Sequence, residues 1–227
     1  MNKSLREKLI IARRVGYILQ TIPYVRMIGL CNSVALGTAS ETSDIDIFMI
    51  VKAKHIFTAR YTAVFWQTIF GLKPYPSKKQ SKNRISLSLF LSTDALNMDR
   101  ICKDEYERKK RIEWITNVIP LYDENNTYLD FVDKNSWVKK YVPNYYMRMS
   151  ENTKDIKFST IMFLIQRFKE FIYFFGIGYI VEIIVRSIQI KRLNALKRSH
   201  KGKEKIIVND KMIKIHFLEN DDSKELY

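Results

Sequence analysis

Three apolar segments fall within the first hundred residues: 24–31 (YVRMIGLC), 44–51 (DIDIFMIV) and 84–91 (RISLSLFL). Each has the length of a strand and is too short for an ordinary globular helix. The third alternates apolar and polar residues over 84–89 and reads as a strand. The other two are apolar nearly throughout and read as buried strands. Helical patterns lie between and before them. Ser4 and Glu7 form an S-x-x-E capping pattern, followed by Leu9, Ile10, Val15, Ile18 and Leu19 at helical spacing, with Pro23 as the stop. Residues 54–70 read as a second helix, closed by Gly71. The small, polar segment NSVALGTASETS between the first two strands predicts a short turn or helix and then a loop.

Beyond residue 100 the pattern becomes helical, over 103–118, 127–141 and 155–198. Thr93 caps a short turn just before this region. Asn126 and Thr127 offer N-cap chemistry, and Pro120 and Pro143 punctuate the series. A strand-like pair, KIIV and KMIKIHF, hinged at Asn209–Asp210, predicts a short terminal hairpin. The expected fold is α/β (α+β): a small mixed sheet with flanking helices over 1–100, then a mostly helical region over 101–227.

The chain of 227 residues carries 39 Lys plus Arg against 24 Asp plus Glu, a net charge of +15. Such an excess favours polyanionic partners: RNA or other nucleic acid, nucleotides, or an acidic membrane surface. The two cysteines, Cys31 and Cys102, form no CxxC motif and accompany no histidine cluster, so a reducing cytoplasm is expected rather than a disulfide or zinc framework. The N-terminal segment is interrupted by charges and is not a signal peptide. The most apolar stretch, Phe171–Val185, falls short of the ~20 residues that a spanning helix needs and contains Glu182, so no stable membrane span is expected. No sequence signal points to an oligomeric state.

Chemistry concentrates at Asp44 and Asp46. Two carboxylates one residue apart at the start of a strand project to one side, about 7 Å apart. A hard cation between them gains two oxygen ligands and keeps its waters, the usual arrangement for Mg²⁺ when a triphosphate completes the shell. A small-residue loop precedes the pair. Before the loop, at the end of the previous strand, Ser33 opens a turn whose backbone N–H groups suit phosphate.

The order of a strand, a G-S-like pair, ten or so residues, and S-D-I-D on a second strand resembles the signature of minimal nucleotidyltransferases of the DNA polymerase β superfamily. It stands here as Gly29 to Gly37 (GLCNSVALG), then Ser43-Asp44-Ile45-Asp46-Ile47-Phe48. The stretch from about Tyr24 to Leu96 looks like one such domain. Thr58-Ala59-Arg60, RISLSLFLSTDAL and IPLYDENNTY extend the likeness to a group of bacterial nucleotidyltransferase-domain proteins over most of the chain.

The resemblance implies a polymerase β-like nucleotidyltransferase core with Asp44 and Asp46 as catalytic ligands of Mg²⁺ (or Mn²⁺). Asn32, Ser33 and Ser43 would meet the nucleoside triphosphate, with Arg60 adding charge. The implied reaction moves a nucleoside monophosphate from an NTP to a hydroxyl on RNA, a protein or a small molecule. Two residues depart from the family pattern. Asn32 stands where the glycine of G-S is usual, and asparagine tolerates left-handed backbone. The third carboxylate that active members place on the next strand is matched by Ser88, or alternatively by Ser86. Asp94 lies beyond that strand and would serve only if the chain turned back. These departures leave a second expectation beside the enzyme, a degenerate nucleotide- or RNA-binding module on the same fold. A third is an interaction protein using the helical half. The basic run Arg186–Lys205 offers a surface for a nucleic-acid backbone. The aromatic segments YVPNYYMRM and FIYFFG are expected to be helical core or interface. His55, His200 and His216 are scattered and read as surface or satisfied histidines.

Overall fold

A strand with apolar side chains on both faces needs a packed layer on each side, and β2 (Ile45–Val51) has one. The computed structural model describes residues 3–71, 83–102, 104–153, 158–199 and 206–214. Within these residues β2 lies inside a mixed sheet with β1 (Val25–Cys31), β3 (Ile85–Ser92), β4 (Ile119–Asp123), β5 (Ile207–Val208) and β6 (Met212–Lys214), in the order β4-β1-β2-β3-β6-β5. β1 is antiparallel to β2 and to β4, β3 is parallel to β2, and β6 is antiparallel to β3 and β5. The parallel step needs a crossover, supplied by α3 (Ile56–Ile69).

The pleat sorts β2 cleanly. Ile45, Ile47, Met49 and Val51 enter one core, shared with Ala12, Val15 and Leu19 of α1 (Lys3–Leu19) and with Phe57, Ala59 and Ala63 of α3. Phe48 and Ile50 enter the other, with Ile112 and Ile115 of α4 (Glu105–Thr116), Phe131 of α5 (Thr127–Lys134), and Tyr145 and Met149 of α6 (Tyr145–Asn152). The expected α/β class, with a mixed sheet, flanking helices and a helical C-terminal region, is the observed one.

Several elements differ from the sequence expectation. Ser4 lies within α1 rather than capping it, and its hydroxyl donates to the Ser40 carbonyl. The segment around Pro120 is a strand and not merely a stop between helices. β4 is an edge strand, where a residue without an N–H removes no ladder bond. The pattern over 127–141 divides at Asn135. Its fully buried amide accepts from Met98 N and donates to the carbonyls of Leu96 and Phe131, so the helix stops and a 3-10 turn over Ser136–Lys140 follows. The terminal hairpin is present, and it joins the edge of β3. The sheet therefore draws strands from both sides of residue 100. The basic loop 73–83 lies outside the described residues except for Asn83, as does the basic run from His200 to Lys205.

The long pattern over 155–198 splits into α7 (Thr160–Phe174) and α8 (Ile177–Ser199), which meet at 92°. Gly176 carries φ +86 at the break, a conformation that a side chain resists. Among the described residues no single helix is long and apolar enough to cross a membrane. Polar side chains dock this elbow onto the sheet. Gln166 donates to the carbonyls of Ile22 and Val25 at 2.9 and 2.8 Å. Glu170 accepts from Tyr24 N at 2.7 Å and takes both guanidinium nitrogens of Arg26. Glu182 accepts from Phe57 N and Thr58 N at 3.0 and 2.8 Å, which satisfies the open N–H groups at the start of α3.

Glu182→Ala is therefore expected to cost about 2–3 kcal/mol, the range for a buried acceptor with a charged hydrogen bond. Glu182→Gln should cost less, because it keeps an acceptor. Urea denaturation of the three proteins measures both differences.

Candidate functional site

The site is built where β2 emerges from the sheet. β1 ends at Cys31 and the chain enters α2 (Asn32–Leu36) at once. Asn32 has φ +55, so the turn requires left-handed backbone at the position that the resemblance gives to glycine. Gly37, at φ +77, closes α2 by donating to the carbonyls of Ser33 and Val34. The chain then loops through 38–43 and re-enters the sheet, with Ile45 N bonded to the Arg84 carbonyl at 2.7 Å.

Asp46 lies opposite Cys31 on one side and Ser86 on the other. It shares the sheet face of Phe48 and Ile50, and the period of two carries the same face to Asp44, just ahead of the strand. Both aspartates are half-buried, and each takes part in at least one polar or electrostatic interaction. Beside Asp46 the parallel register slips between Ile47 and Phe48, which leaves Ser88 as the extra residue of a bulge. Ser88 Oγ donates to the Ile47 carbonyl at 3.2 Å and lies 3.5 Å from Cys31 Sγ. Burial pushes the Cys31 thiol far up, the Asp46 carboxylate adds to the rise, and the group stays protonated.

Of the two serines weighed as the third-ligand position, Ser86 is level with Asp46, while Ser88 sits one step deeper with its hydroxyl engaged. Asp94 hydrogen-bonds Ser92 at the far end of β3, about 20 Å along the strand from Ser86, which removes it as a substitute. Among the described residues no group of three or more His, Cys, Asp or Glu side chains comes together to hold a metal. A cation at Asp44 and Asp46 would thus depend on triphosphate oxygens and water for the rest of its shell. That donor set suits a hard ion such as Mg²⁺.

The other sequence-derived residues divide. Asn32 and Ser33 stand at the start of α2, which packs against β1 and β2. Ser43 Oγ accepts from Ser40 N and meets Ser40 Oγ, both at 2.9 Å, and so shapes the loop. Arg60 faces the other way. It donates to Gln189 of α8, and burial together with Arg192 brings its guanidinium down to about 10. The structure does not bring it to the aspartates. His55 stacks on Tyr24 with 3.7 Å between ring centres, and burial lowers it to about 4. His200 and His216 lie outside the described residues.

Lys8 is a residue that the motifs do not disclose. It has no exposed surface, and its ammonium donates to the carbonyls of Glu41 and Ser43 at 3.2 and 2.6 Å and to Asn83 Oδ1 at 3.1 Å. It ties α1 to the loop immediately before Asp44. Its one sequence signal is position: Lys8 falls on the buried stripe of α1 with Ser4, Ala12 and Val15. An open cleft of about 520 Å³ lies between the end of α2 and α4, lined by Leu36, Lys109, Asn117, Tyr141 and Arg148 among others, and by neither aspartate.

Comparison of the chain with protein-family models, with curated proteins and with solved structures returned no match.

Replacing Lys8 by methionine removes the donor and leaves two carbonyls to find others. Lys8→Met should speed amide hydrogen exchange at Ser43 to Ile45 while β1 stays protected. Exchange followed by mass spectrometry resolves the two segments.

Proposed function

We propose that the chain is a Mg²⁺-dependent nucleotidyltransferase that moves a nucleoside monophosphate from an NTP to an acceptor hydroxyl. The observation that carries this reading is the pairing of two half-buried aspartates at the mouth of a buried strand with a tight, positive-φ turn at Asn32 on the adjoining strand. In this reading Asp44 and Asp46 hold the cation, and Asn32 and Ser33 at the start of α2 receive phosphate oxygens. The ion supplies neutralisation of triphosphate charge and polarisation of the phosphorus that is attacked. Lys8 holds the loop so that Asp44 stays beside Asp46. The cleft between α2 and α4, with Lys109, Arg148 and Tyr141, offers room and charge for the rest of the substrate. The net charge of +15 supports a polyanionic acceptor such as RNA over a neutral one, with a protein side chain or a small molecule as the other acceptor classes.

A second reading has its own observation. Serine occupies both the register position beside Asp46 and the bulge behind it. No carboxylate there accepts the proton that an attacking hydroxyl loses. On this reading the fold binds a nucleotide without transferring it.

Asp46→Asn should weaken calorimetric binding of a Mg²⁺–NTP complex by about tenfold or more, roughly 1.4 kcal/mol. EDTA should abolish the difference between the two proteins. Equal affinity for the variant and the wild type would defeat both readings.

Ser86→Asp adds a carboxylate level with Asp46 and should raise transfer of label from NTP to RNA. Ser88→Asp buries a charge beside Cys31 and should lower the melting temperature instead. A brisk wild type that Ser86→Asp does not improve would show that the proton leaves by another route. Binding with no transfer by either protein would leave the binding module.

A further inference from the structure

The α7–α8 elbow is built inside out. Its buried positions carry Gln166, Glu182 and Gln189, with Val185 and Leu193 between and after them. Its outer face carries the large apolar side chains. Ile161, Phe168, Phe174, Phe175 and Tyr179 are each between 66% and 79% exposed, and isoleucines of α8 continue the surface. A helix in water normally does the reverse. A contiguous apolar surface of this size marks a binding face.

We propose that this elbow docks onto an anionic lipid surface, with its apolar side lying in the headgroup layer and both helices roughly parallel to the bilayer. Charge selects this occupant. Between residues 160 and 198 the only carboxylates are Glu170 and Glu182. Both are turned inward and engaged, Glu170 by Arg26 and Tyr24 N, Glu182 by the start of α3. The exposed ionic groups toward the end of α8 are all cations: Lys191, Arg192, Lys197 and Arg198. Asp210, the exposed acid beside α8, is paired with Arg186. Apolar side chains flanked by bases, with no exposed acid of their own, are the composition of interfacial helices held to acidic headgroups. A second copy of the chain would bring another net charge of +15 against the same surface, which like charges oppose. The hydropathy agrees. By length and composition the pair together is apolar enough to enter a bilayer, while the 92° break leaves no single described helix able to cross one.

The elbow meets the sheet at Tyr24 and Arg26, the end of β1 that pairs with Val51. Asp46 pairs with the opposite end of β1, about 17 Å away along β2. The aspartates thus lie at the end of β1 and β2 away from this contact.

The full-length protein is to be sedimented with phosphatidylcholine vesicles, with and without a phosphatidylglycerol fraction. Wild type should pellet with the acidic vesicles, and added salt should weaken binding. The Phe174→Asp/Tyr179→Asp double variant alters only exposed side chains. It should melt at the wild-type temperature and bind about tenfold less. Lys191→Gln/Lys197→Gln should reduce the preference for acidic vesicles. The proposal is overturned if wild type stays in the supernatant with both vesicle types, or if the aspartate variant binds as well as wild type. It is also overturned if sedimentation velocity finds a stable dimer that the aspartate variant splits, which would assign the face to a second copy.

Discussion

Strand β2 offers no side of itself to water over most of its length, and this constraint organises the molecule. Its odd-numbered residues are committed to the core under α1 and α3, its even-numbered ones to the core under α4, α5 and α6. Two layers of helices must therefore close over one strand, and the crossover α3 and the helical second half supply them. Only where β2 begins do the layers part, and there apolar side chains give way to Asp46 and Asp44. A polar group placed further along would sit among Phe48, Met49 and Ile50, all without exposed surface, and would have to be neutralised or paired. The chemistry sits at the strand's mouth because the rest of the strand admits none.

Much of this was legible from residue order because the signals are local. The alternation in 84–89, the apolar run after Asp44 and the glycine and asparagine near the α2 turn each fix a conformation within a few residues. What escaped was non-local. IPLYD is too short to show a period, and its proline becomes acceptable only because β4 lies at an edge. The bulge that sets Ser86 rather than Ser88 level with Asp46 is a property of two strands together. Arg60 has the spacing to face outward from α3, but the partner it meets there, Gln189, comes from a helix far along the chain. Lys8 acquires its role only once the loop before Asp44 folds over it.

The inward face of the elbow shows how polar contacts can pose a helix beside a small apolar seam. Gln166, Glu170, Glu182 and Gln189 satisfy backbone groups at Ile22, Val25, Tyr24, Phe57 and Thr58 that α1, β1 and α3 leave open. Arg26 and Arg167 neutralise Glu170, and Arg26, Arg167 and Tyr122 surround the buried Glu124. Such contacts are directional, so they set the pose of the pair as well as its attachment. Val185 and Leu193 still enter the core beside these contacts, while many of the larger apolar side chains of the pair stay outside.

The position of β6 has a consequence for the order in which the molecule is made. β3 is complete once residue 92 has left the ribosome, but the strand that covers its edge ends at Lys214. At usual elongation rates the interval is roughly 6–25 s. For that time the row of N–H and C=O groups on β3, with Leu89, Phe90 and Leu91 beside it, has no neighbour from its own chain, and such an edge is a template for foreign strands. The edge of β3 is thus covered late, by residues made only after the whole helical second half.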